Sequence, residues 1–199
     1  MISGTNAMAA MGPRCGFPSR WTRRAAAVLA LLVTGLFIDI RCQAQTLTDE
    51  QLRARFLLNF ARFTDWPDRV FDSADTPLIL CVLGAADSLD GTLQALEGAA
   101  AGMHRVAVRT GVTSDHVAEC QMLFAPDNEL GRLAPARQAI GGHAVLIVGE
   151  SDAALALGAM IALRKEDRHL GFVVKVGAAR DCDLKFSPQL LTAATEVLP

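Results

Sequence analysis

From Thr48 onward the chain alternates between apolar stretches of two different periods. Between Leu52 and Pro67 the apolar residues Leu52, Phe56, Phe60 and Phe63 recur at helical spacing, and Arg55, Asn59 and Arg62 form a polar strip along the flank. Thr48 with Gln51 three residues on has the form of a capping box, while Pro67 disfavours helical geometry at Trp66. The spacing thus predicts a helix that starts at Thr48 and stops just before Trp66. Pro77 then introduces Leu78-Ile79-Leu80-Cys81-Val82-Leu83, closed by Gly84. A continuous apolar run of this length between Pro and Gly predicts a strand buried on both faces, the central strand of a parallel sheet.

The same alternation continues. Asp87 or Ser88 caps a short helix through Leu96, and Arg105 to Thr110 alternates in the manner of a strand nearer the sheet edge. Ser114 opens a short helix to Glu119, Gln121 to Ala125 reads as a third strand, Glu129 to Ile140 as a helix before Gly141-Gly142, and Ala144 to Val148 as a fourth strand ending at Gly149. This order predicts an α/β fold, a three-layer Rossmann-like sandwich with a mainly parallel central sheet. Ala159 to Leu163 and Leu170 to Val176 flank a polar turn and predict an antiparallel hairpin at the sheet edge; Pro188 to Leu198 reads as a closing helix. No internal repeat and no second-domain boundary is evident.

The first 44 residues follow a different logic. Arg14, Arg20, Arg23 and Arg24 precede an uncharged run from Ala25 to Ile38, and Cys42-Gln43-Ala44 has the small residues of a cleavage site, which is the anatomy of a secretory signal peptide. The apolar run is 14 residues, short of the roughly 20 that span a bilayer. Arg41 and Ile40 before Cys42 do not fit a lipidated cysteine, and Met8 and Met11 are alternative starts. Cleavage after Ala44 leaves residues 45–199 as one α/β domain. The whole chain has formal charge −2, but the leader holds five Arg and one Asp, so the exported part carries 14 basic and 20 acidic residues, a charge of −6. That balance argues against nucleic acid and against adhesion to anionic lipid.

Export also bears on the cysteines. Cys81, Cys120 and Cys182 remain, and in an oxidising compartment three suggest one bridge and one thiol. Cys81 and Cys120 adjoin apolar strand-like runs, whereas Cys182 sits in the polar stretch Arg180 to Asp183, so the first two are the better pair. Three buried reduced cysteines are the alternative if the chain is not exported.

Phe56-Leu57-Leu58-Asn59-Phe60, Phe63 and Trp66-Pro67, followed by Pro77 to Gly84, resemble the start of the YfiR-like family of periplasmic proteins. The similarity continues at Cys120 to Phe124, Gly171-Phe172 and Leu184 to Ser187, and it covers essentially residues 48 to 198. The resemblance implies a Rossmann-like fold and a periplasmic repressor of an inner-membrane diguanylate cyclase, acting on the cyclase's periplasmic sensor region in cyclic di-GMP signalling and biofilm control. It also implies relief of repression by an outer-membrane lipoprotein. Cys81 and Cys120 match a cysteine pair bridged in the best-known member. A second bridge of that member has no counterpart here, and Lys175 and Asp183 stand where relatives often have Asn and Gly.

Catalytic apparatus is not evident. His104, His116, His143 and His169 show no His-x-x-x-His spacing, no Cys-x-x-Cys occurs, and no Gly-x-Gly-x-x-Gly follows the first strand, so no metal, cofactor or catalytic set is expected. Ser151 and Asp152 with a His sketch a hydrolase, but without a Gly-x-Ser-x-Gly elbow they read as a helix cap. A doubly wound sheet leaves a crevice at the carboxyl ends of its strands, which places Gly84, Asp127 and Ser151 at the default small-ligand site. Phe56, Phe60 and Phe63 read as core. Arg55, Asn59, Arg62 and Trp66 are the candidates for partner contact, with an acidic partner or the second copy of a homodimer; Trp66 equally suits a core gap. The expected function is a non-catalytic periplasmic regulator. The alternative is a periplasmic small-ligand binding protein serving another receptor or sensor kinase.

Overall fold

The computed structural model describes residues 47–85, 90–166 and 169–199. The leader read over residues 1–44 and the helix cap read at Asp87 or Ser88 lie outside the described residues. Helix α1 runs over Asp49–Arg62, and at its start Thr48 and Gln51 satisfy each other's backbone N–H groups, the Thr48 side chain accepting from Gln51 N at 3.2 Å and the Gln51 side chain from Thr48 N at 3.1 Å. After it come β1 (Thr64–Asp65), β2 (Leu78–Leu83), α2 (Asp90–Gln94), β3 (Ala100–Ala101), β4 (His104–Val112) and β5 (Met122–Ala125). The second half adds α3 (Leu130–Ile140), β6 (Leu146–Gly149), α4 (Ala153–Ala156), β7 (Ile161–Glu166), β8 (His169–Lys175), α5 (Val176–Arg180), β9 (Lys185–Phe186), α6 (Pro188–Ala193) and β10 (Glu196–Leu198).

Eight strands form one sheet in the order β10-β8-β7-β6-β5-β2-β4-β3. The run β7-β6-β5-β2-β4 is parallel throughout, β7 and β8 form the antiparallel hairpin, and β3 adds an antiparallel stub to β4. Period-two alternation along the strands sends side chains to two separate apolar layers. Leu78, Leu80, Val82, Met122, Phe124, Leu146 and Val148 face α1, while Cys81, Leu83, Leu123, Ala125, Val145 and Ile147 face α3 with its Leu133, Ala136 and Ile140. The fold is an α/β three-layer sandwich. β2 is an inner strand between β5 and β4 rather than the middle of the sheet, because β7, β8 and β10 extend the other side.

Two expectations need correction. The buried face of α1 is centred on Leu57, with Ala54, Phe60 and Ala61, whereas Leu52 and Phe56 are half-buried and Phe63 is 37% exposed. The face is turned by roughly 100° from the aromatic stripe, because Ala54 and Ala61 let the helix backbone approach the sheet and carry Leu57 into the core. Phe56 still contributes from the margin: its ring lies edge-on to Phe172 at 5.6 Å, and Phe60 meets the same ring at 4.9 Å. At the other end of the chain, the closing helix stops at Ala193 and Glu196–Leu198 becomes a strand parallel to β8. The open edge of β8 offers backbone partners, and Thr195 N already donates to Phe172 O at 2.9 Å. The hairpin therefore has β10 along its outer side.

Cys81 and Cys120 form a disulfide with Cα atoms 5.9 Å apart and a sequence separation of 39, a closure worth about 4 kcal/mol on the chain-entropy model. Cys182 is a buried thiol in the opposite layer. Near it Asp183 has φ 57°, a left-handed geometry natural for Gly and tolerated by Asp, so the absence of Gly there is accommodated without a change of backbone.

Two ionic straps fix the first turns of α1 along one side. Arg53 pairs with Glu150 at 2.6 Å, and Asp49 with Lys165 on β7 at 2.5 Å. The hydrogen bond and charge of Lys165 hold the Asp49 carboxyl below the usual carboxylate range. A carboxyl whose folded pKa is depressed contributes stability that is present above its unfolded pKa and lost as pH falls through the folded one. Asp49→Asn is expected to flatten the acid limb of the urea-midpoint profile below the ordinary carboxylate range while leaving the core intact. Core weights are expected to differ sharply along the same helix: Phe60→Ala costs about 3–5 kcal/mol, and Phe63→Ala costs less than about 1 kcal/mol, both read from urea unfolding.

Candidate functional site

The carboxyl ends of the parallel strands β2, β5 and β6 open toward the crevice. Gly84 closes β2 with φ 64°, a backbone geometry that calls for Gly, and a Cβ there would displace the Glu129 carboxylate, which lies 2.2–2.4 Å from that position. Glu129 accepts from Ala85 N at 3.3 Å and pairs with Arg132 at 3.1 Å. The turn after β2, where doubly wound domains commonly offer N–H groups to a ligand, is thus filled by a side chain of the protein itself. Gly84 faces Glu129.

Asp127 and Ser151 do come together, after β5 and β6. The Ser151 hydroxyl donates to Asp127 Oδ1 at 2.7 Å, and Asp127 N donates to Glu150 Oε2 at 3.0 Å. Glu150 in turn receives Arg53 from α1, and next to them Arg164 binds Asp152 at 2.8 Å and Glu196 at 2.9 Å. The contact with Asp152, then that with Glu196, raises the pKa of Arg164 further above its ordinary value, so its charge is permanent. A hollow of about 690 Å³ lies among these groups, its wall carrying both signs of charge. The partner of Ser151 is a carboxylate rather than an imidazole. His104 instead contacts Thr76 O at 2.8 Å and stacks on Phe71 at 3.7 Å, and His116 contacts Glu119 at 3.2 Å. Among the described residues no group of three or more His, Cys, Asp or Glu is placed to hold a metal ion.

Arg55, Asn59 and Arg62 are exposed along the side of α1 away from the sheet. Arg62 is tethered: its Nε donates to Ala100 O at 2.8 Å, holding the last turn of α1 to β3. Trp66 follows the helix and is half-buried; its indole N–H donates to Gln121 O at 3.2 Å and its ring lies edge-on to Phe71 at 6.4 Å. A second hollow of about 480 Å³ joins Arg62 and Trp66 with Asp65, Asp68 and the exposed Met103. The structure therefore brings Arg62 and Trp66 to one depression and leaves Arg55 and Asn59 as an open strip leading to it.

Sequence reading alone did not single out Arg53, Glu129 or Glu150. A signal was present for two of them. Glu150 follows the last residue of a buried strand, and Glu129 precedes a helix in the residue class that the turn after Gly84 would attract. Arg53 carries no such mark, since a long cation inside an amphipathic pattern reads as solvated.

No functionally curated protein matches the chain. Among solved structures it is similar to a conserved domain protein from Vibrio cholerae O1 biovar eltor str. N16961, with TM-score 0.50 at 14% identity, over 76% of this chain and 61% of that one. The chain spans about three fifths of that protein's length, and the likeness speaks for the α/β fold alone. A weaker likeness, to the ABC domain in complex with L-Trp from Streptococcus pneumonia, has TM-score 0.47 at 10% identity over 61% of this chain and 55% of that one, and carries no argument. The sequence model described as YfiR/HmsC-like matches residues 50–195, which hold all but the first residue of α1, the disulfide and every strand except β10. By that match this chain belongs to the YfiR/HmsC-like family.

Proposed function

We propose that this chain is a periplasmic regulatory protein that restrains an inner-membrane diguanylate cyclase by contact with the cyclase's periplasmic region, without chemistry of its own. The observation that carries this reading is the family match over residues 50–195. The Cys81–Cys120 bridge suits an oxidising compartment, in keeping with export through a leader cleaved near Ala44. The contact runs along Arg55, Asn59 and Arg62 to Trp66. A helix seated on a sheet through Leu57 and Phe60 and strapped by Arg53 and Asp49 presents its outer side already in place. Little ordering entropy is then lost on docking. Two arginines on that side favour an acidic patch on the cyclase.

The alternative, a small-ligand binding protein, draws its support from the 690 Å³ hollow at the strand ends. A ligand there competes with ion pairs that the protein already makes within itself. Trp66 is the only Trp outside the leader and reports through its fluorescence on the depression it lines with Arg62, whereas the hollow at the strand ends is read by calorimetry.

Deletion of the gene is expected to raise cellular cyclic di-GMP and biofilm. Arg55→Glu combined with Asn59→Ala is expected to reproduce the deletion, with a urea midpoint shifted by no more than about 0.5 kcal/mol and affinity for the cyclase's periplasmic region weakened roughly tenfold or more. If deletion leaves cyclic di-GMP unchanged and no membrane sensor protein cross-links to the wild type, the reading is wrong; a saturating calorimetric titration with a small molecule, lost on Ser151→Ala or Asp127→Ala, would put the ligand-binding alternative in its place.

A further inference from the structure

The outer edge of β4 is closed by a side chain. Along β4 the residues that face β2 and those that face outward alternate. At the start of the outward edge, backbone completes the ladder: Val106 N donates to Ala99 O at 2.9 Å and Val106 O accepts from Gly98 N at 2.8 Å. At the next outward position backbone gives out, and Val108 N donates instead to Glu97 Oε2 at 2.7 Å. The Glu97 carboxylate occupies the place that a carbonyl of a neighbouring strand would take. The edge then meets its second interruption. The register against β2 slips between Cys81 and Leu83, Gly111 has φ 70°, and Val112 O turns inward to accept from Gly84 N at 3.0 Å. Among the described residues, the stretch from Val108 to Thr110 remains outward and unfilled by backbone.

We infer that Glu97, with Arg109, keeps this edge from pairing with β4 of a second copy. The two outward residues Val108 and Thr110 allow one antiparallel two-fold pairing, with Val108 of each copy opposite Thr110 of the other and Arg109 opposite itself on the axis. In that register each Val108 N–H meets a Thr110 carbonyl. Glu97 withdraws both of these donors, one in each copy, and half of the four possible hydrogen bonds go with them. Arg109 acts on the same axis through charge, because like charges directly opposite across an antiparallel pair are destabilising. Arg109 is half-exposed and pairs with Glu119 at 3.0 Å, which keeps its guanidinium on that face. An edge strand with its N–H groups open is a template for association, and charged side chains and bulges are the usual means of blunting it. β4 has both.

Size-exclusion light scattering and amide exchange on the full exported chain test this. The double variant Glu97→Ala, Arg109→Thr is expected to double in mass relative to the wild type as concentration rises, with slower exchange at the Thr110 amide. Glu97→Gln, whose amide oxygen still accepts, is expected to behave as the wild type. Glu97→Ala alone, at dilution, is expected to speed exchange at the Val108 amide roughly tenfold. A double variant that keeps wild-type mass and wild-type Thr110 exchange overturns the inference. Should that variant fold poorly by circular dichroism, unchanged Val108 exchange in the single Glu97→Ala protein overturns it independently.

Discussion

The seating of α1 on the sheet through Leu57 and Phe60 is the contact on which the remaining geometry depends. Both side chains are essentially without solvent exposure, and Ala54 and Ala61 on either side bring the helix backbone in close enough for them to reach the sheet. Burying them contributes several kcal/mol, an amount comparable with the whole stability of a domain of this size. The direction of every other group on the helix follows. Once Leu57 points at the sheet, Arg53 points at the carboxyl ends of β5 and β6, and Arg55, Asn59 and Arg62 must point away from it.

That orientation divides the molecule's polar groups into two populations. Those at the strand ends are consumed internally: Glu129 fills the turn after β2, Glu150 joins Arg53 to the Asp127 amide, and Arg164 bridges Asp152 and Glu196. Each is an interaction that a doubly wound domain could instead have offered to a ligand. On the outer side of α1, Arg62 is spent on Ala100 O, but among the described residues the Arg55 and Asn59 side chains have no such use in the fold. In a binding protein of this class one expects the reverse, an unfilled crevice and an incidental outer surface. The distribution of satisfied charge therefore favours recognition by surface over recognition by cavity, on an argument separate from family membership.

Much of the layer order could be read from the residues, and the errors have definite causes. The capping box at Thr48 and Gln51, the buried run Leu78 to Leu83, the parallel strands at Met122 and Leu146 and the β7–β8 hairpin all rest on local rules that the tertiary structure has no reason to override. The rotated face of α1 was not legible because periodicity weighs large side chains, whereas close approach is set by small ones such as Ala54 and Ala61. β10 and the β1–β9 ribbon depend on edges that exist only after the chain has folded, and Thr64 to Asp65 is too short to show a period. The crevice was legible as a place but not as a state. Asp127 and Ser151 meet as strand ends must, but the occupation of the turn at Gly84 depends on a rotamer of Glu129, 44 residues beyond Ala85, whose N–H it binds.

The disulfide and the edge of β4 belong to the same problem of holding a sheet open at one side. β2 is braced toward β5 by the Cys81–Cys120 bond, and Trp66 reinforces that side by donating to Gln121 O, the residue just before β5. Toward β4 it has the ladder, which slips by one residue near Leu83, and the contact of the His104 ring with Thr76 O just before β2. A slipped ladder increases local twist and spoils the flat edge that strand addition requires. The irregularity at Gly111 thus costs pairing within the sheet and limits pairing between molecules, and the carboxylate of Glu97 covers one of the two donors, those of Val108 and Thr110, that face outward before the slip. On the proposed reading, in which the outer side of α1 meets the partner, such an edge leaves that side as the surface open to association.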